Sequence, residues 1–298
     1  MSNAPEPEGR PRAGFLGPAG TFSEEALLAG AAPGAVEPVA LASIHDAVVA
    51  LRDGEVELSI VPIENSLEGS IDVTLDLLAE EAPGVQIVGE TLLRVRHSLI
   101  AASDVPLQEI ATVVSHPQVP GQCARFLRGE LPRAEILPAA STAEAVRTVV
   151  AAGDPAMAAL GTSLAAEIYG ATVLREGVED RADNETRFVW LARAEDGPPP
   201  LRAGAAGAGR RCSIVFWGPG AERPGWLVRC LSEFASREIN LTKIESRPRR
   251  EELGSYMFFA DLAAGGEEPA VGAALAGLRA ICEQVRVLGS YGAAARAA

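Results

Sequence analysis

The sequence predicts an α/β protein of two domains: a mostly parallel, doubly wound sheet, then a smaller ferredoxin-like unit. Three observations carry this expectation. Short apolar runs alternate with segments of helical period from residue 13 to residue 194. The stretch EDGPPPLRAGAAGAGRR then holds three consecutive prolines and no periodic apolar residues, which marks residues 195–210 as a linker. Beyond it, residues 211–291 run strand, helix, strand, strand, helix, strand, the order of a split βαβ unit. A length of 298 residues agrees, since domains average about 100–200 residues.

In the first domain AGFLG reads as a strand and TFSEEALLAG as a helix. SIHDAVVAL puts Ile44, Ala47, Val48 and Leu51 on one helical face through their i, i+3, i+4, i+7 spacing. ELSIVPI is a strand, IDVTLDLLAEE a helix and QIVGETLLRVRHSLIAA extended; IATVVSHP, STAEAVRTVVAAGD, AMAALG, SLAAEIYG and TRFVWLAR continue the alternation. In the second domain CSIVFW is a strand and PGWLVRCLSEFASRE a helix with Leu227, Leu231, Phe234 and Ala235 inward. LTKIESRP and SYMFFADL are strands, PAVGAALAGLRAICEQ buries Val271, Leu275, Leu278 and Cys282, and VRVLGS closes the unit. Such a sheet carries both helices on one face, leaving the other face or an edge for a second copy. Residues 1–12 read as a disordered tail.

Composition narrows the function. Twenty-six basic against forty acidic residues give a net charge of -14, and Lys243 is the sole lysine, which argues against nucleic-acid or anionic-membrane partners. With 48% apolar residues the chain has a real core, and neither an export signal nor a span of ~20 apolar residues is present. A cytoplasmic protein is expected. Cys123, Cys212, Cys230 and Cys282 form no CxxC pair and read as reduced thiols.

Ligands in doubly wound sheets bind where strands end and helices begin. That rule selects GPAGTFS (17–23), PIENSLEGS (62–70), SHPQVPGQ (115–122), STAEA (141–145) and TRF (186–188). They bring Thr21, Glu64, Asn65, Ser66, Ser115, Gln122, Thr186 and Arg187, with Asn184, towards one cleft: neutral hydrogen-bonding groups and one strong cation. Such a set suits a small anion held by Arg187 and backbone amides, with a hydroxyl beside a leaving group. Thr21 with Glu24, and Ser141 with Glu144, also have capping-box spacing, and capping is the simpler role for Ser141. His45 and His97 read as structural; His116 follows a strand but lacks companions at metal-binding spacing, so no metal is expected. Nucleotide-binding and hydrolase signatures are missing, and no cofactor is expected. Taken alone, a Thr-Arg pair on a strand reads as a β-former beside an ion-pair partner, and Asn65 as a turn stabiliser.

Several motifs in order reverse that reading. GFLGPAGTFSEEA, VPIENSLEGSIDVTLDLL, SHPQVPGQC, STAEAV, DRADNETRF, NLTKIESRP and RAICEQVRVLGSY together resemble the prephenate dehydratase family with a C-terminal ACT regulatory domain. The resemblance implies a two-lobed fold of the type II periplasmic-binding kind. Lobe 1 would span about 13–95 and 184–194, lobe 2 about 96–183, with crossings near Val95–Ser98 and Asp183–Thr186. It implies decarboxylating dehydration of prephenate to phenylpyruvate, with Thr186 bonding the departing oxygen and Arg187 holding a carboxylate. Glu64, Asn65, Ser115 and Gln122 would orient the substrate, and Thr21, Ser66 and Phe188 would line its site. In the second domain it implies inhibition by L-phenylalanine, bound by Asn240, Leu241, Glu245, Ser246, Arg247 and Pro248 with Gly225, Trp226 and Leu227, in a homodimer or homotetramer. Here Trp226 departs from a small residue of the family motif, which implies either a filled effector pocket or an indole directed into a partner subunit. A prephenate decarboxylase that does not aromatise its product and a non-catalytic small-anion sensor are the alternatives.

Overall fold

The computed structural model describes residues 9–196, 199–202, 209–221, 223–251 and 254–294. Its first sheet contains β1 (Arg12–Leu16), β2 (Glu37–Leu41), β3 (Leu58–Asn65), β5 (Val85–Arg94) and β11 (Glu185–Arg193), in the order β2-β1-β3-β11-β5. A two-residue strand β4 (Gly69–Ser70) pairs with β3. The second sheet holds β6 (Ser98–Ala101), β7 (Thr112–Ser115), β8 (Glu135–Pro138), β9 (Met157–Gly161) and β10 (Thr172–Arg175), in the order β10-β6-β9-β7-β8.

The two sheets repeat one plan. Each has three parallel strands, β2-β1-β3 or β8-β7-β9, followed by an antiparallel pair, β11-β5 or β6-β10. The fourth position in each is filled by the strand that has just crossed from the other lobe. The sheets are thus mostly parallel, as expected, and each is mixed through its fourth strand, because a strand entering from a neighbouring lobe runs against those already there. The crossings lie side by side, with the Val95 N–H donating to Asn184 O at 2.8 Å.

Helices cover the sheets: α1 (Phe22–Gly30), α2 (Ile44–Arg52) and α3 (Asp72–Asp76, continuing as a π-helical turn to Glu81) on lobe 1. Lobe 2 carries α4 (Val119–Gln122), α5 (Ala124–Glu130), α6 (Thr142–Ala152) and α7 (Ser163–Tyr169). On α2 the expected face is buried at Ala47, Val48 and Leu51. The strands β2, β8 and β10 and the helix α5 escape the periodicity reading, since each is short and β8 is exposed throughout.

The C-terminal domain is β12 (Arg210–Trp217), α8 (Trp226–Ala235), β13 (Leu241–Pro248), β14 (Tyr256–Leu262), α9 (Pro269–Ile281) and β15 (Gln284–Gly292). Its antiparallel sheet has the order β13-β14-β12-β15, the expected βαββαβ arrangement. On α8 the buried face is Trp226, Cys230 and Phe234 rather than the Leu231 and Ala235 stripe. Cys230 and Cys282 bring their sulfurs to 3.8 Å between α8 and α9, a proximity that sequence spacing does not reveal.

The second face of this sheet is not free. Val215, Met257, Phe259, Leu288 and Tyr291 join Val61, Ile63, Val189 and Leu191 of lobe 1 in one apolar cluster. At the joint a Cβ on Gly289 would collide with Ile87 O, so the close approach of β15 to β5 at that point requires glycine. The edge of β13 remains unpaired among the described residues. Part of the linker also packs: the Arg202 N–H donates to Gly30 O at 2.8 Å, and Leu201 rests on the lobe 1 core. The remaining linker residues 197, 198 and 203–208, and residues 1–8 of the expected tail, lie outside the described residues, whereas Arg12 already opens β1.

Candidate active site

A cavity of about 600 Å³ opens between the lobes. Its floor is formed by the paired strands β3 and β11, where Thr186 lies opposite Asn65. Asn65 Oδ1 accepts from the N–H groups of Leu67 (2.9 Å) and Glu68 (3.0 Å), which fixes the amide's orientation. Its Nδ2 then donates to Thr186 Oγ1 at 2.9 Å and to Asn184 Oδ1 at 2.8 Å. Because Thr186 Oγ1 accepts this bond, its own proton is left to donate elsewhere. Ser66 lies behind, accepting from the Glu185 N–H at 3.0 Å and locking the same turn.

Lobe 2 supplies the opposite wall. Gln122 Oε1 faces His97 Nε2 at 3.1 Å, and as an amide oxygen can only accept, Nε2 carries the proton. Burial lowers the His97 pKa and keeps the ring neutral, edge-on to Phe22, with Nδ1 buried and unpartnered. Sequence reasoning gave His97 no place in the site; its position at the first crossing was the available signal. Glu68 of lobe 1 spans the cleft, accepting from Gln118 Nε2 and Gln122 Nε2, both at 3.0 Å. Ser115 is wholly buried, its hydroxyl turned to His116 O at 3.3 Å, and it does not line the cavity.

Two helix starts face the cavity, α1 through Thr21 and Phe22 and α6 through Ser141 and Thr142. Ser141 Oγ caps α6 by accepting from the Glu144 N–H, as its spacing suggests. Thr21 does not cap: its hydroxyl donates to Leu16 O at 2.9 Å, and Glu24 reaches back to the Gly20 N–H. The loop before α1 also pins the lobes together. Thr162 Oγ1 donates to Gly20 O and the Tyr169 hydroxyl to Ala19 O. Gly20 has φ +85°, and a Cβ there would lie 2.8 Å from Ala165 Cα, so only glycine fits.

Besides Ser115 and Ser66, three more expected site residues lie off the cavity lining. Arg187 is 5% exposed and points away from the cavity, its Nη2 at 2.7 Å from Asp261 and 3.1 Å from Glu64, its Nη1 at 3.3 Å from Glu90. Strand alternation explains this: with Thr186 turned to the cleft, its neighbour faces the opposite side. Glu64, beside Asn65, follows the same rule and faces Arg187 and Lys243. Phe188 follows a register shift and sits in the lobe 1 core with Phe15 and Trp190. Among the described residues lining the cavity there is no arginine or lysine, so an anion entering it would meet helix starts and amides.

The proposed effector residues divide similarly. Glu245 meets Ser70 and Lys243, and Arg247 forms a fork on Asp76 at 3.1 and 2.9 Å, so both face lobe 1. Trp226 is 2% exposed against Phe216 and Phe258 in its own domain's core, which excludes one of its two implied placements, that directed into a partner subunit. Leu227 packs beside that core, and Gly225, at φ +81°, turns the chain into α8.

Fold and cleft define a two-lobed enzyme that handles a small organic acid, joined to a βαββαβ domain. A family model for prephenate dehydratase matches residues 13–196. The chain is 44% identical to prephenate dehydratase of Mycobacterium sp. (strain KMS), over 94% of this chain and 89% of that one. Among solved structures, prephenate dehydratase of Arthrobacter aurescens in complex with L-Phe superposes with a TM-score of 0.83 at 36% identity, covering 94% and 90% of the two chains. GqqA, described as a novel type of quorum quenching acylase, superposes with a TM-score of 0.81 at 30% identity, covering 95% and 98%. The chain belongs to the prephenate dehydratase family.

Proposed function

We propose that the cleft converts prephenate to phenylpyruvate, and that the Asn65–Thr186 pair carries the chemistry. Loss of carbon dioxide from the ring carbon bearing the carboxylate pushes an electron pair through the diene and expels the hydroxyl from the opposite carbon. The ring becomes aromatic, and the departing hydroxide leaves as water once a proton is supplied. Aromatisation provides the driving force, so the protein needs to hold the dianion and stabilise the leaving oxygen. Thr186 Oγ1 accepts from Asn65, which directs its proton towards that oxygen. The starts of α1 and α6 would each receive a carboxylate, with Gln122 and His97 shaping the wall between them.

The second solved relative raises amide hydrolysis as an alternative, which would need a hydroxyl activated by a base. In the cleft, Thr21, Ser141 and Thr186 bond to a carbonyl, a backbone N–H and an amide respectively, which favours the lyase. The C-terminal domain we read as an ACT-type regulator sensing L-phenylalanine, with the unpaired β13 edge meeting a second copy.

The deciding experiment is ultraviolet detection of phenylpyruvate formed from prephenate, with and without phenylalanine. Phenylpyruvate formation that phenylalanine suppresses supports both assignments. Carbon dioxide without phenylpyruvate would mean a decarboxylase, and binding without product a sensor.

Glu68 offers a second check, because it places a negative charge among the very amides a dianion would use. Glu68→Gln should lower KM for prephenate about fivefold, equivalent to roughly 1 kcal/mol of relieved repulsion. Initial rates across substrate concentrations measure it. An unchanged KM would mean that this carboxylate swings clear when substrate enters.

A further inference from the structure

The cleft pair and the C-terminal domain are connected through the reverse side of the same two strands. In the register of β3 with β11, Thr186 opposes Asn65 and the next pair is Arg187 opposite Glu64. The first pair faces the cavity and the second the C-terminal domain. Glu64 is gripped twice, by Arg187 Nη2 at 3.1 Å on one oxygen and by Lys243 Nζ at 3.6 Å on the other. Lys243 also holds Glu245, at 3.1 Å, on β13.

Asp261 on β14 closes the network. It receives Arg187 at 2.7 Å, Arg211 at 3.3 Å and the Ser213 hydroxyl at 2.6 Å. The side chains of Arg187, Glu90 and Asp261 are 6%, 1% and 6% exposed. Burial alone would lower the Arg187 pKa, but Asp261, with Glu90 and Glu64, outweighs it and keeps the guanidinium charged. A buried cluster of this kind is weak as a source of stability, since desolvation cancels much of the attraction and apolar packing would serve as well. What it provides is registry: the planar guanidinium points Nη1 at Glu90 and Nη2 at Asp261 and Glu64, so its plane is set by carboxylates from three strands.

We propose that Arg187 is a positioning residue: anchored on Asp261, it holds β11 against β3 so that the Thr186 hydroxyl and the Asn65 amide stay in bonding register. The C-terminal domain thereby reaches the reaction centre through side chains that never touch substrate. Displacement of β13 or β14 moves Lys243 or Asp261, hence Glu64 and Arg187, hence the neighbouring residues on the cleft side.

The test uses the full chain with two variants, Asp261→Asn, which keeps shape and loses charge, and Arg187→Lys, which keeps charge and loses the fork. Hydrogen exchange followed by mass spectrometry should show peptides covering residues 62–66 and 184–188 exchanging about tenfold faster in both, with 112–115 of lobe 2 unchanged. The kinetic readout rests on the dehydratase reading: kcat should fall about tenfold with KM within roughly twofold, and this loss should vanish on a Thr186→Val background. Exchange equal to wild type in both variants, or a raised KM with kcat intact in Arg187→Lys, overturns the proposal. A wild-type protein without prephenate turnover would defeat the dehydratase reading instead, and the exchange data would still decide this one. Exchange accelerated equally in lobe 2 would signal general loosening and also count against it.

Discussion

Thr186→Val is expected to lower kcat by roughly two to three orders of magnitude, the usual loss when one aimed donor is removed from a developing oxyanion. Valine matches threonine in shape and suits a strand, so β11 should form as before. Asn65 loses one acceptor but keeps Asn184 Oδ1 and Glu185 O, so the turn carrying it stays satisfied. Prephenate binding, followed by calorimetric titration, should therefore change little, while phenylpyruvate formation collapses. Thr186→Ser, which restores the hydroxyl, should recover most of the rate. Turnover within tenfold of wild type in the valine variant would remove Thr186 from the chemistry.

Trp226→Ala should be the most damaging change to the C-terminal domain, at about 3–5 kcal/mol for emptying a large aromatic site. The indole contacts Phe216 and Phe258 at centroid distances of 6.2 and 5.8 Å and belongs to the same core as Cys230, Phe234 and Leu278. Trp226→Phe retains the aromatic contact and removes an indole N–H that has no partner, so it should cost far less. Chemical denaturation monitored by circular dichroism separates the three proteins. Coincident unfolding of all three would place the side chain outside the core. Since the indole is committed to its own domain, phenylalanine should inhibit the Trp226→Phe variant and the wild type at similar concentrations.

The layout of the molecule was readable from periodicity because its signals are local. Helix α2 buries Ala47, Val48 and Leu51 just as their spacing requires, and α9 does so with Val271, Leu275 and Leu278. Strand direction was not readable, because β6 and β11 take their places from contacts more than a lobe away. The cleft was half legible. Thr21, Asn65, Gln122 and Thr186 line it, whereas Arg187, Glu64 and Phe188 were drawn in by adjacency along a motif. Alternation on a strand separates neighbours onto opposite faces, and applied to the Thr-Arg pair and to the Glu-Asn pair it divides cleft from domain interface correctly. The bulge before Phe188 and the lobe-bridging bonds of Glu68 depend on long-range geometry and leave no local trace.

The exchange of strands between lobes also bears on how the protein comes into being. Asn65 and Thr186 are separated by 121 positions, and lobe 1 keeps a gap between β3 and β5 until residues 185–193 arrive to fill it. Lobe 2, whose last strand ends at Arg175, is complete before that. On the ribosome the second lobe can thus mature first, and contacts of such long separation form late because loop closure must precede their reward. The C-terminal domain, which docks on β11 and β5, has no finished surface to meet until the same strand is in place. Completion of the cleft therefore waits on a single strand, β11, and the C-terminal domain, synthesised after it, docks on a surface which that same strand finishes.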